Sequence, residues 1–302
     1  MRARETQAML THAVNILLSG MFHAAILFLV AAGLQLVFGV QRIFNLACGS
    51  FYALGAYTGV SAVNGLLGLG LPHELFLVAL IGAGVCLAPI GPLIEWLLHF
   101  VYERDEALQL LLTFAVVLMF EDVMRLIWGP SPLSTGSLYL IYGQVTALGV
   151  TVPVYNLIVI AAGLVIALLM GAMLARTRFG RIIRATAENR EMSAALGVNL
   201  RTVYVKVFTL GTLLGTLGGA LVIPATATMS EMGIELIVEA FAVVVIGGLG
   251  SMRGALVGAL VVGILQAVVI STYPELEMVL MYLIVIGVLV LRPQGLFGEP
   301  AA

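Results

Sequence analysis

The sequence predicts an all-α, polytopic helical membrane protein, and three observations carry that prediction. Of its 302 residues, 61% are hydrophobic and 10% are charged, whereas a soluble domain carries roughly 25% charged residues to cover its water-facing surface. The mean hydropathy is +1.12. The apolar residues also fall in continuous runs of roughly 15–25 residues, the length of a helix crossing a bilayer, without the alternation over about 10 residues that marks a barrel strand.

The runs lie at 14–38, 43–63, 75–98, 107–128, 153–175, 203–228, 236–272 and 278–291. The first follows a basic start, MRARETQAML, but no small-residue cleavage site comes after it, so it reads as a retained span. The run 236–272 exceeds the roughly 20 residues that one crossing needs. It is interrupted by Gly247-Gly248-Leu249-Gly250-Ser251-Met252-Arg253-Gly254, so two shorter helices meeting at a break are expected there. The result is one membrane domain over 1–302 with about 8–10 membrane segments, some short, broken or re-entrant. The 34 glycines suit helices that approach closely across small residues.

Between the fifth and sixth runs lies a polar, basic island, 176–206. It holds Arg176, Arg178, Arg181, Arg184, Arg190, Arg201 and Lys206, half of the 14 basic residues in the chain. Concentrated positive charge marks the cytoplasmic side. With the island inside, 203–228 runs out to the acidic loop Ser230–Glu235, Arg253 falls inside, and Tyr273–Glu277 is again outside and acidic. The last span then ends inside at Arg292-Pro293, which places the C-terminus in the cytoplasm. Backwards from the island, the uncharged loop 129–152 is outside and 99–106 is inside. A strict count then puts Arg2 and Arg4 outside, against the charge rule. A re-entrant segment at 43–63 or around Gly247–Gly254 would remove the conflict.

The island also has helical punctuation. From Gly180 onward, apolar Ile182, Ile183, Met192, Ala195 and Leu196 are interleaved with Arg184, Glu188, Arg190 and Glu191. Gly197 suits a helix stop and Asn199 an N-cap, so one or two short surface helices are expected. Such a segment is either an interfacial helix held by anionic lipid or a helix that passes force from a cytoplasmic partner into the membrane.

Catalytic patterns are missing. The sequence has no Gly-rich phosphate loop ending in Gly-Lys-Ser/Thr, so the chain is not expected to hydrolyse nucleotide. His12, His23, His73 and His99 have no metal-ligand spacing, and Cys48 and Cys86 lie in apolar runs without partner-like spacing. No cofactor, metal, nucleic-acid partner or enzymatic activity is expected, and the bilayer is the surrounding medium.

Four separated stretches, in the right order, resemble the LivH-type permeases, the membrane subunits of ABC importers for branched-chain amino acids. They are Gly39 with Asn45-Leu46-Ala47 and Gly49; Ala187-Glu188-Asn189 with Ala194-Ala195-Leu196-Gly197-Val198-Asn199; Val245-Ile246-Gly247-Gly248-Leu249-Gly250-Ser251 with Gly254 and Gly258; and Leu291-Arg292-Pro293-Gln294-Gly295-Leu296-Phe297-Gly298. The second stretch resembles the family's cytoplasmic coupling segment. The resemblance implies alternating access driven by two cytoplasmic ATPase subunits. It also implies a second homologous permease subunit, or a like subunit, and a periplasmic or extracellular binding protein. It implies coupling through Arg184, Glu188, Asn189, Ala195, Leu196 and Gly197. It makes Asn45, Cys48, Gly49, Ser50, Gly247, Gly248, Gly250 and Ser251 candidates for the substrate pathway, although the glycine stretch serves tight helix packing equally well.

The chain departs from the family where it has Cys48-Gly49-Ser50 for His, Gly and an acidic residue, Arg190 for a Pro, and Met252-Arg253 for an apolar residue and Pro. The first departure bears on the substrate, since relatives move other amino acids, urea or amides, and small organic or aromatic acids. The rival reading is a secondary transporter driven by an ion gradient, which needs an ionisable relay or ion cage near the midplane. Glu121 and Arg125, at i,i+4 with Asp122 beside them, read as a structural pair near the outer surface or as part of the pathway. Asn45 and Gln35 suit inter-helix hydrogen bonds, and Glu239 and Glu95 suit the interfaces.

Overall fold

A computed structural model of the chain describes residues 2–276 except 103, 148 and 149, and beyond them residues 279, 282, 283, 286–288, 290 and 295–297. Among the described residues, eleven α-helices follow one another. They are α1 Arg2–Gln41, α2 Ala47–Gly68, α3 Phe76–Cys86, α4 Ile90–His99, α5 Glu106–Trp128 and α6 Val154–Arg176, then α7 Arg178–Glu188, α8 Arg190–Ala195, α9 Leu200–Val222, α10 Met232–Gly247 and α11 Met252–Thr272. Among the described residues, five stretches are long and apolar enough to cross a membrane: Thr11–Gln41, His73–His99, Val154–Arg176, Leu200–Val222 and Met252–Thr272. The all-α expectation holds with one addition. Within 129–152 and its edge, β1 Gln144–Ala147 pairs antiparallel with β2 Val150–Pro153, setting Val145 against Val152, as β-branched residues favour.

The predicted span 75–98 is kinked. Pro89 and Pro92 lack the N–H groups that would continue an α-helical ladder, and α3 gives way to α4 through tightened turns, Ala88 N to Val85 O and Ile90 N to Leu87 O. The predicted break in 236–272 lies where expected. Gly248 and Gly250 have φ of +96° and +84°, a region open to glycine and costly for other residues, and Ser251 caps α11 by accepting from Gly254 N at 3.1 Å.

The helices alternate between two ends of the bundle. At one end, Arg190 donates to the Gln41 carbonyl, so α1 finishes beside α7 and α8. At the other end, Trp128 Nε1 donates to Ser61 Oγ at 2.6 Å, Tyr142 OH donates to Glu74 O at 2.6 Å, and Leu133 pairs with Thr228. His12 meets Ser271 Oγ at 3.1 Å near the end of α11, so α1 begins at the hairpin end. Neither suspected segment reverses this, because α2 runs on to Ser61 and α11 to Ser271. The backbone at Arg2 and Arg4 lies opposite the island.

The centre is α1, α2 and α9. Residues Ile26 to Ala32 of α1 are buried throughout, and glycines let the backbones touch. A Cβ on Gly33 would sit 2.7 Å from Gly211 O, and one on Gly219 only 1.8 Å from Tyr52 O. The outer faces of α5 and α6 expose Leu111, Leu126, Leu164, Leu168 and Leu169, which suits lipid or another subunit and not water. The end of the chain returns to the α10–α11 turn, where Leu296 N donates to Ile246 O at 2.8 Å and Phe297 N to Gly247 O at 3.1 Å. Of the C-terminal motif, Leu291–Gln294 and Gly298 lie outside the described residues, as does half of the predicted last span 278–291.

Candidate functional site

The island folds into two short capped helices. Thr177 Oγ1 accepts from Gly180 N at 3.0 Å to start α7, and Asn189 Oδ1 accepts from Met192 N at 2.9 Å to start α8. Each cap satisfies a donor that the helix leaves unpaired. Gly197 closes α8 at φ +86°, with Gly197 N to Ala194 O at 2.9 Å and Val198 N to Ser193 O at 3.0 Å, the bond pattern of a Schellman stop. Asn199 Oδ1 then caps α9 by accepting from Thr202 N at 3.1 Å. The helix stop and the N-cap fall where the sequence places them.

Burial divides this unit into two faces. Gly180, Ile183, Thr186 and Ser193 face the bundle, while Arg184, Glu188, Asn189, Ala195, Leu196 and Gly197 are exposed. Leu196 is 78% exposed and Met192 59%, so two apolar side chains project from a charged rim. All six coupling candidates are therefore accessible on α7, α8 and the stop that follows them.

Two links that the sequence does not reveal tie this surface to the bundle. Arg42 Nη2 donates to the Ala187 carbonyl at 3.2 Å, and Arg190 donates to the Gln41 carbonyl. Each arginine thus satisfies an end-of-helix carbonyl on the other's segment. Arg190, where the family often has Pro, is the clamp on α1. Gln35, one turn and a half earlier on α1, donates to Gly248 O at 2.6 Å and Ser251 O at 3.0 Å. The last turns of α1 therefore touch both α7–α8 and the glycine turn.

The pathway candidates divide. Asn45 is buried, and among the described residues it makes local bonds in place of the expected inter-helix one. It accepts from Ala47 N at 3.1 Å and donates to Cys48 Sγ at 3.4 Å, shaping the entry to α2. Gly49 lies against Gly233, where a Cβ would meet the Gly233 carbonyl at 2.1 Å. Ser50 borders a cavity of about 10 Å³ with Glu121 and Ser230, room for about one water. Gly247 packs on Gly254 at distances that exclude a Cβ from either, and the carbonyls of Ile246, Gly247, Gly248 and Ser251 are taken by Leu296, Phe297 and Gln35. Gly49 thus packs on the start of α10, whereas Gly247 ends that helix, so the two sets of candidates sit at opposite ends of α10.

Among the described residues, three polar groups that contain acids tie helices and loops together. Arg125 bonds Glu121 at 2.5 Å, Glu231 at 2.8 Å and Ser230 Oγ at 3.1 Å, so the i,i+4 pair also fastens the loop before α10. Hydrogen bonds from its own backbone, Ser230 and Arg125 hold Glu231 below the usual carboxylate range. Glu239 departs from the expectation that it sits at an interface. Because α10 begins at Met232, Glu239 lies mid-helix, bonded to His23 at 3.0 Å and Gln266 at 3.0 Å. Replacing Glu239 with Leu removes one acceptor shared by α1 and α11 and is expected to lower stability by about 1–3 kcal/mol. Glu239→Gln should recover most of it, as melting of the purified chain would show. Equal melting of wild type and Glu239→Leu would dismiss the network. At the island end, Tyr102 OH donates to the buried Glu95 at 3.1 Å, and burial, reinforced by Glu95, pushes this phenol far above its usual range.

Membrane-length helices, a capped surface unit at one end and polar pairs held inside the bundle define a multi-pass membrane protein. Residues 16–289 match the family described as branched-chain amino acid transport system, permease component, and the chain belongs to that family. It is 26% identical over 281 residues to the high-affinity branched-chain amino acid transport system permease protein LivH of Salmonella typhimurium, covering 90% of this chain and 91% of that one. It is 24% identical over 297 residues to the corresponding permease protein BraD of Pseudomonas aeruginosa, covering 96% and 97%. It is also 28% identical over 250 residues to the ribose import permease protein RbsC of Escherichia coli, covering 79% and 72%. The likeness therefore reaches relatives named for chemically different cargo.

Proposed function

We propose that this chain is the membrane-spanning permease subunit of an ATP-driven ABC importer, carrying a small polar metabolite inward across the bacterial inner membrane by alternating access. A branched-chain or other amino acid is the substrate class favoured by the LivH and BraD relatives. The observation that carries the reading is the exposed, capped α7–α8 unit clamped to the inner end of α1 through Arg42 and Arg190. Of the two cytoplasmic ATPase subunits, one docks on Leu196 and its charged rim and the other on the second permease subunit. Their closure moves α7–α8, and α1 passes the motion to the connection before α2 and to the glycine turn that Gln35 holds. A binding protein delivers substrate at the hairpin end. A second permease subunit, homologous or identical, pairs with this one, and the water-sized space beside Ser50 supports a pathway formed between subunits.

The island end faces the cytoplasm, with its seven basic residues. The C-terminus lies on the same side, a reading supported by the bonds from Leu296 and Phe297 to the turn at that end. ATP drives transport only as far as it favours one membrane conformation over another.

Reconstitution with the two ATPases, the second permease and the binding protein should give uptake of radiolabelled leucine or isoleucine that requires ATP. Uptake by this chain alone, driven by a proton or sodium gradient, would overturn the assignment in favour of the secondary transporter, which Glu239 and His23 would then serve. A ligand screen on the associated binding protein separates amino acids from urea or amides and from organic or aromatic acids.

A further inference from the structure

A cavity of about 980 Å³ opens at the island end between α1, the 100–105 connection and the starts of α5 and α9. Its lining includes four arginines, Arg42, Arg104, Arg190 and Arg201, together with His99 and Phe100. Among the described residues, none of the four arginines is in an ion pair. Arg42 and Arg190 each spend a donor on a carbonyl, whereas the side chains of Arg104 and Arg201 make no hydrogen bond to the described residues and are exposed. The one acid buried nearby, Glu95, is held by Tyr102. Guanidinium groups gathered around a concave space, none of them in an ion pair among the described residues, favour an anion with several acceptor oxygens.

The wall beside the cavity is apolar. Leu93 and Trp96 on α4 and Phe100 just after it are exposed, at 61%, 51% and 64%, and the Trp96 and Phe100 rings meet edge to face at 5.2 Å. Exposed aromatics at the end of a membrane-length helix mark the headgroup level of a bilayer. A soluble anion has no use for that wall, but a phospholipid uses both parts. The geometry points to an anionic phospholipid bound here, its phosphodiester in the arginine cavity and its acyl chains along Leu93, Trp96 and Phe100, in the manner of basic pockets between membrane helices. The same lipid would lie against the Arg42 and Arg190 clamps, so the composition of the leaflet would bear on the stiffness of the link between α7–α8 and α1.

Native mass spectrometry of the full chain in detergent, titrated with phosphatidylglycerol or phosphatidylcholine, tests this. Wild type should retain phosphatidylglycerol preferentially. Arg104→Gln and Arg201→Gln should each weaken that preference about fivefold, which is about 1 kcal/mol at 1.4 kcal/mol per tenfold. Because neither side chain is hydrogen-bonded to the described residues, both variants should keep the wild-type melting curve. Trp96→Ala should weaken both lipids, and millimolar inorganic phosphate should not displace phosphatidylglycerol. Equal retention of the two lipids by wild type would overturn the proposal. So would displacement by inorganic phosphate with no effect of Trp96→Ala, which would make the cavity a site for soluble anions.

Discussion

Leucine in place of Gly219 is expected to prevent the chain from accumulating as folded protein. Even a methyl group at this position would lie 1.8 Å from Tyr52 O and 2.6 Å from Tyr52 C. Both neighbours are helix backbone, so no rotamer change relieves the overlap, and α2 must move off α9. The two helices enclose Phe51, Phe208 and Tyr57, which are almost fully buried, so separating them opens the core of the bundle. Overpacking typically costs about 1–3 kcal/mol, and a backbone collision should reach or exceed the top of that range. The contrast is Gly171 on α6, where an added Cβ meets nothing within 4 Å. Gly171→Ala should be neutral or stabilising, by up to about 1 kcal/mol from helix propensity. Size-exclusion profiles and melting curves in detergent would compare the two. A Gly219→Leu protein that melts with wild type would show that the α2–α9 contact is not what holds the bundle.

What the sequence discloses and what it withholds divide along the range of the interactions. Caps, stops and breaks are local. Asn189, Gly197, Asn199 and the glycines at 247–250 act within a few residues, so their roles are readable from the neighbouring residues alone. Hydropathy is also additive over a window, which is why most of the spans are legible. The kink at Pro89 and Pro92 is equally local, although the unbroken apolar run conceals it. The hairpin at 144–153 is not legible, because four-residue strands carry too little alternation to stand out. Hydropathy places Glu239 too near an interface because the start of α10 lies among Glu231, Gly233 and Glu235, where charge blurs the edge of the span. The clamps are beyond reach for a different reason. Arg190 meets Gln41 across 149 residues, and Arg42 meets Ala187 across 145. Such pairings leave no periodicity, and their acceptors are carbonyls that every residue possesses. The arginine cavity is likewise assembled from four separate segments.

Proline in place of Gly197 is expected to uncouple ATP hydrolysis from uptake while leaving the bundle folded. Gly197 has φ +86°, whereas proline is fixed near −65°, so the stop of α8 cannot form. The bond from Gly197 N to Ala194 O, 2.9 Å, is lost with the N–H. Leu196, now before a proline, is driven from ψ 7° towards an extended conformation, which redirects the most exposed apolar side chain of the proposed docking surface. None of this reaches the core, since Gly197 is exposed and a Cβ there meets nothing within 4 Å. Coupling energies of about 1–3 kcal/mol correspond to about 5- to 150-fold changes, and uptake per ATP hydrolysed in proteoliposomes should fall within that range. Gly197→Asn, which tolerates the left-handed region, should retain most uptake. Arg190→Ala separates docking from transmission. It leaves Leu196 and Gly197 in place but cuts the clamp to Gln41, so the ATPases should still co-purify with the permease while uptake drops. With Gly197→Pro, co-purification should weaken as well. Normal uptake in both variants would refute the mechanical role given to α7 and α8. Loss of co-purification in Arg190→Ala alone would move the docking surface from Leu196 to the clamp.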